Sequence, residues 1–316
     1  MISIDHEACS RIASLVDKSV VREYKLDLKD ENYYPPENTG LRETIMYFLV
    51  MVAMDHRLSR PGREYRAVVE GRVYRGADLL YKLGSLMLRR NPGFFKPENL
   101  MRINEKSVLE WLSAGEASPP DPGVRAELLR DIGLKLTRIY EGDVLRIIKP
   151  GEIELRCGVG DGVLDKLKIF KAYMDPVEKK SHLLIKFLEA RGLVRVRDYW
   201  RKRVPVDNHV TRIALRTGIV RVSGSLLDKI VSGEEVSLEE DVLVRTCIRE
   251  AWHKVAVEAG VDDYVLDDFL WSFGRKYCVR GKARCVEGSC PFMRGCRAFN
   301  QGLMINEHTF YNTWFY

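Results

Sequence analysis

Four of the chain's seven cysteines fall in one short stretch, spaced Cys278-x6-Cys285-x4-Cys290-x5-Cys296. Sulfurs this close in sequence either converge on one centre or remain separate thiols, and convergence dictates the path of the whole carboxyl end. Sulfur-only ligation suits an iron–sulfur cluster or tetrahedral Zn²⁺. A zinc ribbon draws its ligands from two tight pairs of cysteines far apart in the chain. Gaps of six, four and five residues fit a [4Fe–4S] cubane wrapped by one loop better. Zn²⁺ is the alternative, and four unligated thiols the third reading. Cys9, Cys157 and Cys247 are dispersed, and Cys247 lies on an apolar helix face as a buried thiol would. An odd count crowded at one end is not a secreted disulfide scaffold. With no basic and apolar leader in MISIDHEACS, the expected compartment is the cytoplasm.

The rest of the chain reads as an ordinary globular sequence, 316 residues long, 46% hydrophobic and 30% charged. A formal charge of +6 permits a polyanionic partner without requiring one. The longest apolar run, 45–54, is half the roughly 20 residues a bilayer span needs, so it reads as a buried helix. No membrane contact is expected, and nothing calls for an obligate protein partner. Breaks that pair Pro with Gly or Asn fall at 34–40, 91–93, 115–123 and 149–151. Between them, apolar residues at three- and four-residue intervals predict helices over 41–58, 77–90, 124–140, 163–173, 181–190 and 242–259. On the last, Val242, Leu243, Cys247, Ile248, Ala251, Trp252, Val255 and Ala256 form the expected buried face, with Gly260 as its stop. The segment 65–74 carries Gly71 between β-favouring residues and reads as a small hairpin. The fold class is therefore mostly α. The division drawn from the sequence is an amino-terminal helical region, 1–150, and a second helical region, 151–316.

The cysteine loop, CVRGKARCVEGSCPFMRGC, resembles that of the helix-hairpin-helix/GPD DNA glycosylases, endonuclease III and the adenine mismatch glycosylase in particular. That family carries Cys-x6-Cys-x2-Cys-x5-Cys, basic residues in the first gap and often Pro after the third cysteine. Here Lys282 and Arg284 fill the basic positions, Pro291 follows Cys290, and the middle gap is longer by two residues. A second segment, Val204-Pro205-Val206-Asp207-Asn208-His209-Val210-Thr211-Arg212, is similar to the family's V-D-x-H-V-x-R, whose Asp is catalytic and starts a helix. It lies 71 positions before Cys278, close to the family's separation. The family's hairpin, L-P-G-V-G-x-K-[ST], has its nearest counterpart in Met174-Asp175-Pro176-Val177-Glu178-Lys179-Lys180-Ser181, the start of a hairpin-like segment at 174–190. Both glycines are absent there, and Lys180 takes the place of the lysine that, where present, attacks the sugar. Elsewhere the chain resembles the queuosine-nucleotide N-glycosylases. Gly71-Arg72-Val73-Tyr74-Arg75-Gly76 is similar to their K-G-x-x-Y-x-G, and Leu266-Asp267-Asp268-Phe269-Leu270-Trp271 to their Leu-Asp-aromatic-x-Leu-Trp.

These resemblances imply a glycosylase-like helical fold with a carboxy-terminal [4Fe–4S] loop and an enzyme that breaks a base–(deoxy)ribose N-glycosidic bond. The expected substrate is a base in DNA, as in base-excision repair; the alternatives are a queuosine-like modified nucleotide and a non-enzymatic nucleic-acid binder. Asp207 and Lys180 are the candidate catalytic residues. His209, Asp267, Asp268 and Trp271 are candidates for substrate contact, and Lys282, Arg284, Arg294 and Arg297 for phosphates. Asp207 also suits its role on local grounds. Broken N-glycosidic bonds leave an oxocarbenium-like sugar, which a nearby carboxylate stabilises, and an Asp at a helix amino terminus is kept ionised by the helix N–H groups. Tyr199-Trp200-Arg201-Lys202-Arg203 interleaves aromatics with cations, as nucleic-acid surfaces do.

Overall fold

A computed structural model describes residues 1–60, 62–285 and 290–316. The chain is mostly helical, as expected, with three two-stranded sheets among the described residues. It divides into two compact units, Met1–Leu26 with Lys202–Thr313, and Asp27–Arg201 with Trp314–Tyr316. The first strand, Ile2–Ile4, pairs antiparallel with Val220–Val222, and the helix His6–Ala13 buries Ala8, Cys9 and Ile12 against the core of the later segment. A strand and an amphipathic helix thus tie the amino terminus to the carboxyl half.

In the Asp27–Arg201 unit, the apolar run becomes the helix Leu41–Met54, buried from Thr44 onward as a run without a polar face must be. It ends four residues before the expected 58. The guanidinium of Arg125, fully buried, takes the carbonyls of Met54 (2.5 Å), His56 (2.9 Å) and Arg57 (3.0 Å), so the chain there is held out of helix. Ala77–Arg90 forms as expected, and Pro122 and Lys179 begin helices that run to Tyr140 and Ala190. The expected helix at 163–173 splits into Val163–Leu167 and a short turn at Lys171–Tyr173. Side chains of the helix Pro122–Tyr140 claim the intervening backbone: Lys135 donates to the Ile169 carbonyl, and Asp131 accepts from the Lys171 N–H. The hairpin forms from Arg66–Val69 and Arg72–Arg75, closed by Glu70 and Gly71, both at positive φ as a tight two-residue turn demands.

The other unit is built around the helix Leu238–Ala259, which starts four residues before the expected 242. Ser237 and Glu240 form a reciprocal capping box, a start signal more specific than the apolar spacing. Ile248, Ala251, Trp252, Val255 and Ala256 are buried as expected, and the buried face departs from the expected one only in the first turns. Val244 and Ile248 are buried and Leu243 is 49% exposed, because the same face carries a fully buried ion pair, Arg245 on Asp241 at 2.8 Å, completed by His308 Nε2 at 2.8 Å from Asp241. Cys247 is only partly buried and packs at the edge of the core. Trp252, Phe269, Phe273 and Phe292 form the aromatic centre of this core. No helix among the described residues is long and apolar enough to cross a membrane.

Candidate functional site

Asp207 caps the helix Asn208–Thr217. Its Oδ1 accepts the Val210 N–H at 2.9 Å, and the side chain remains partly exposed at the first turn. Gly218, at φ 85°, closes the other end. This is the capped start the sequence leads one to expect, placed at the residue expected.

One face of the same helix carries two arginines a turn apart, both buried. Arg212 donates to the Cys278 carbonyl (2.7 Å), the Gly274 carbonyl (3.2 Å), His209 Nδ1 (2.9 Å) and Glu307 (2.8 Å). Arg216 donates to the carbonyls of Ile305 (2.6 Å), Val279 (2.9 Å) and Gly281 (3.1 Å), to Asn306 (3.0 Å), and to the Sγ of Cys278 at 3.4 Å. A guanidinium has five donors in a fixed fork, so each arginine gathers several strands of irregular chain at once. Sequence reading passes over these two roles, since nothing in residue type separates a buried arginine from a solvated one. Their i, i+4 spacing puts them on one helix face, but that face also carries Asn208 and His209, so it does not read as a buried one.

His209 is turned toward this network. Because Arg212 donates to Nδ1, that nitrogen accepts, and the neutral ring carries its proton on Nε2. Burial pushes the imidazole pKa below its ordinary value, with Asp207 opposing and Arg212 reinforcing the shift. Gly274 is required at this contact: a Cβ there would sit 2.7 Å from the Cβ of His209.

All four cysteines of the loop line one cavity with apolar walls from Ile213, Phe273 and Phe292. Burial raises the thiols of Cys285, Cys290 and Cys296, that of Cys290 to about 12, and each is raised further by neighbouring cysteines of the loop. Backbone N–H groups oppose this, from Phe292 toward Cys290 and from Ala298 and Phe299 toward Cys296. These donors, with Arg216 at Cys278, are of the kind that supports sulfur ligands. Among the described residues, no three His, Cys, Asp or Glu side chains stand close enough to hold a single metal ion. Val286, Glu287, Gly288 and Ser289, the longer middle gap, lie outside the described residues. Of the basic candidates, Lys282, Arg284 and Arg294 are exposed, while Arg297 is partly buried with Nε on Gln301 at 2.8 Å.

The other candidates lie in more buried settings. Asp267 and Asp268 are buried, and Asp268 accepts the Leu26 N–H at 3.3 Å, so its carboxylate serves the fold. Trp271 is partly buried beneath the guanidinium of Arg275, 4.3 Å from the ring centroid. Lys180, in the other compact unit, has no exposed surface. Its Nζ donates to the Ala53 carbonyl at 2.6 Å and lies 3.2 Å from His56 Nδ1, and burial drives its pKa well down.

The segment around Lys180 makes its turn without glycine. Glu178 adopts φ 62°, a left-handed conformation that glycine ordinarily supplies, and forms ion pairs with Arg156 and Lys168. The carboxylate of Asp175, fully buried, accepts the backbone N–H groups of Val177 and Lys179, each at 3.0 Å. The N–H groups that such a turn presents to an external anion are therefore already occupied by an anion of its own.

No family model matches the chain, and none of the curated proteins does. Among solved structures, it is similar to one described as a trapped endonuclease III–DNA covalent intermediate, an estranged-adenine complex. The TM-score is 0.48, with 15% sequence identity over 91% of this chain and 99% of that one.

Proposed function

We propose that this protein is an N-glycosylase that cleaves a base–(deoxy)ribose bond in a nucleic-acid strand, with Asp207 as the essential carboxylate. The observation that carries the reading is the placement of Asp207 at the start of a helix whose far end is bolted through Arg216 to Cys278. The capped Oδ1 fixes the carboxylate's orientation, and Oδ2 is the oxygen left for a reacting sugar. As the C1′–N bond breaks, its electron pair leaves with the base and positive charge develops on the sugar. Asp207 stabilises that charge and takes a proton from the water that adds to C1′. A base inside a duplex must first be turned out of the stack to reach such a group.

Cys278, Cys285, Cys290 and Cys296 are the residues that would hold a [4Fe–4S] cluster, with Arg216 and three backbone N–H groups supporting the sulfurs. The cluster's contribution would be to fix the loop and present Lys282, Arg284, Arg294 and Arg297 near phosphates. Gaps of six, four and five residues on one loop favour a cluster over Zn²⁺, which is more often held by two tight, separated pairs of cysteines. Lys180 is assigned no catalytic part, because a nucleophile must reach the sugar.

A second reading, a glycosylase of free modified nucleotides, is favoured by Asp175, whose carboxylate occupies the turn that would otherwise hold a backbone phosphate. A panel of lesion-containing duplexes and modified mononucleotides separates the two. Release of free base from duplexes supports the first, release only from mononucleotides the second, and release from neither removes the enzymatic reading.

A further inference from the structure

Among the described residues only one tyrosine and one tryptophan are exposed, and they are neighbours: Tyr199 at 66% and Trp200 at 58%. Their rings meet edge to face, with centroids 5.5 Å apart at 80°. Nearly all other described aromatics are at least partly buried, so two adjacent rings each more than half exposed mark a contact surface rather than core spill-over.

The pair is rigidly displayed. Asp198, just before it, is buried, and its carboxylate accepts the backbone N–H groups of Leu155 (2.8 Å) and Arg156 (3.1 Å). The Arg201 N–H closes on the Asp198 carbonyl at 2.9 Å, making the single helical turn Tyr199–Arg201. Cations bracket the rings. Arg195, Arg197 and Arg201 are all exposed. Arg197 stands 3.7 Å from Glu152 and Arg201 3.5 Å from Asp198, loose contacts that an incoming anion displaces readily.

We propose that Tyr199 and Trp200 form a stacking platform for unpaired nucleotides of a nucleic-acid strand, with Arg195, Arg197 and Arg201 following its phosphates. Every base offers a π-face to such rings, and a phosphate backbone supplies the negative charge that three guanidiniums match. An apolar protein surface would match the rings and leave the guanidiniums desolvated. The platform rests on the nucleic-acid part of the reading above and not on the chemistry of Asp207.

The test is binding, so it is separable from catalysis. Full-length protein is titrated with a short fluorescein-labelled oligothymidylate, with the matching duplex, and with phosphatidylserine-containing vesicles. Trp200→Ala and Tyr199→Ala should each weaken single-strand affinity roughly tenfold while leaving the salt slope unchanged. Trp200→Phe should retain most of it. Arg197→Gln and Arg201→Gln should each lower the log–log salt slope by about 0.7. Being exposed, these side chains are replaceable without unfolding the protein, and matching thermal midpoints verify that. Single-strand affinity unchanged within about twofold in Trp200→Ala overturns the proposal, as does no single-strand binding by the wild type. Selective loss of vesicle binding overturns it too, assigning the surface to lipid. Base release by Asp207 stands or falls independently of each result.

Discussion

Arg216 donates from Nη1 to the Sγ of Cys278 at 3.4 Å, so the helix that Asp207 caps at one end reaches a candidate cluster ligand at the other. The candidate catalytic carboxylate and the cysteine loop are thus parts of one hydrogen-bonded assembly, with Arg212 one turn earlier reinforcing it through the Cys278 carbonyl. Positioning of Asp207 and integrity of the loop should fail together.

Arg216→Gln tests that coupling. It strips donors from three carbonyls, an amide oxygen and a sulfur in a buried setting, so it should destabilise the protein by roughly 3–5 kcal/mol. Iron per protein and the broad visible absorbance of a cluster should fall in parallel. Arg216→Lys should not restore them, since a point ammonium cannot span these acceptors. Full iron content in a stable Arg216→Gln protein would show the coupling to be unimportant.

The capping and catalytic roles of Asp207 are separable by comparing two substitutions. Asp207→Ala removes the bond to the Val210 N–H and should cost about 1 kcal/mol of stability, whereas Asp207→Asn keeps a capping oxygen and should cost little. Urea denaturation reads the difference. Base release should be lost in both, because neither leaves a carboxylate.

Lys180→Met keeps the buried volume and removes a desolvated amine. Base release should stay within about threefold of wild type, and borohydride should trap no covalent adduct with the substrate. An adduct that forms in wild type and vanishes in Lys180→Met would restore the nucleophile role.

Acid should weaken the terminal unit through His209. Its folded pKa lies below the unfolded value of about 6.5, so the folded state prefers the neutral ring. The stability this gives is fully present above about pH 6.5 and is lost as pH falls through the folded value, where a proton on Nδ1 displaces the bond from Arg212. His56 is shifted the same way by burial, so the informative quantity is the difference between wild type and His209→Gln across pH. That difference should shrink as the pH drops.

The sequence carries the elements with strong local signals. The apolar run at 45–54, the turn around Gly71 and the Asp207 cap lie where spacing and residue type put them, since each is decided within a few residues of chain. The helix start at Leu238 is legible too, in the capping pair Ser237 and Glu240, which apolar spacing does not register. What was not legible depends on partners distant in sequence. Arg125 ends a helix some 70 residues away, and Arg212 and Arg216 bind the carboxyl tail. A one-dimensional pattern does not reveal which charged side chain is drawn inside, because that depends on which carbonyls the fold leaves in need of a donor.

The most direct measurement is single-turnover release of free base, from whichever duplex or nucleotide the wild-type protein processes, by Asp207→Asn protein with a wild-type unfolding midpoint. Release should fall by several orders of magnitude while substrate binding persists. Retention of the wild-type rate in that folded variant would contradict the assignment of Asp207 as the group that meets the sugar cation.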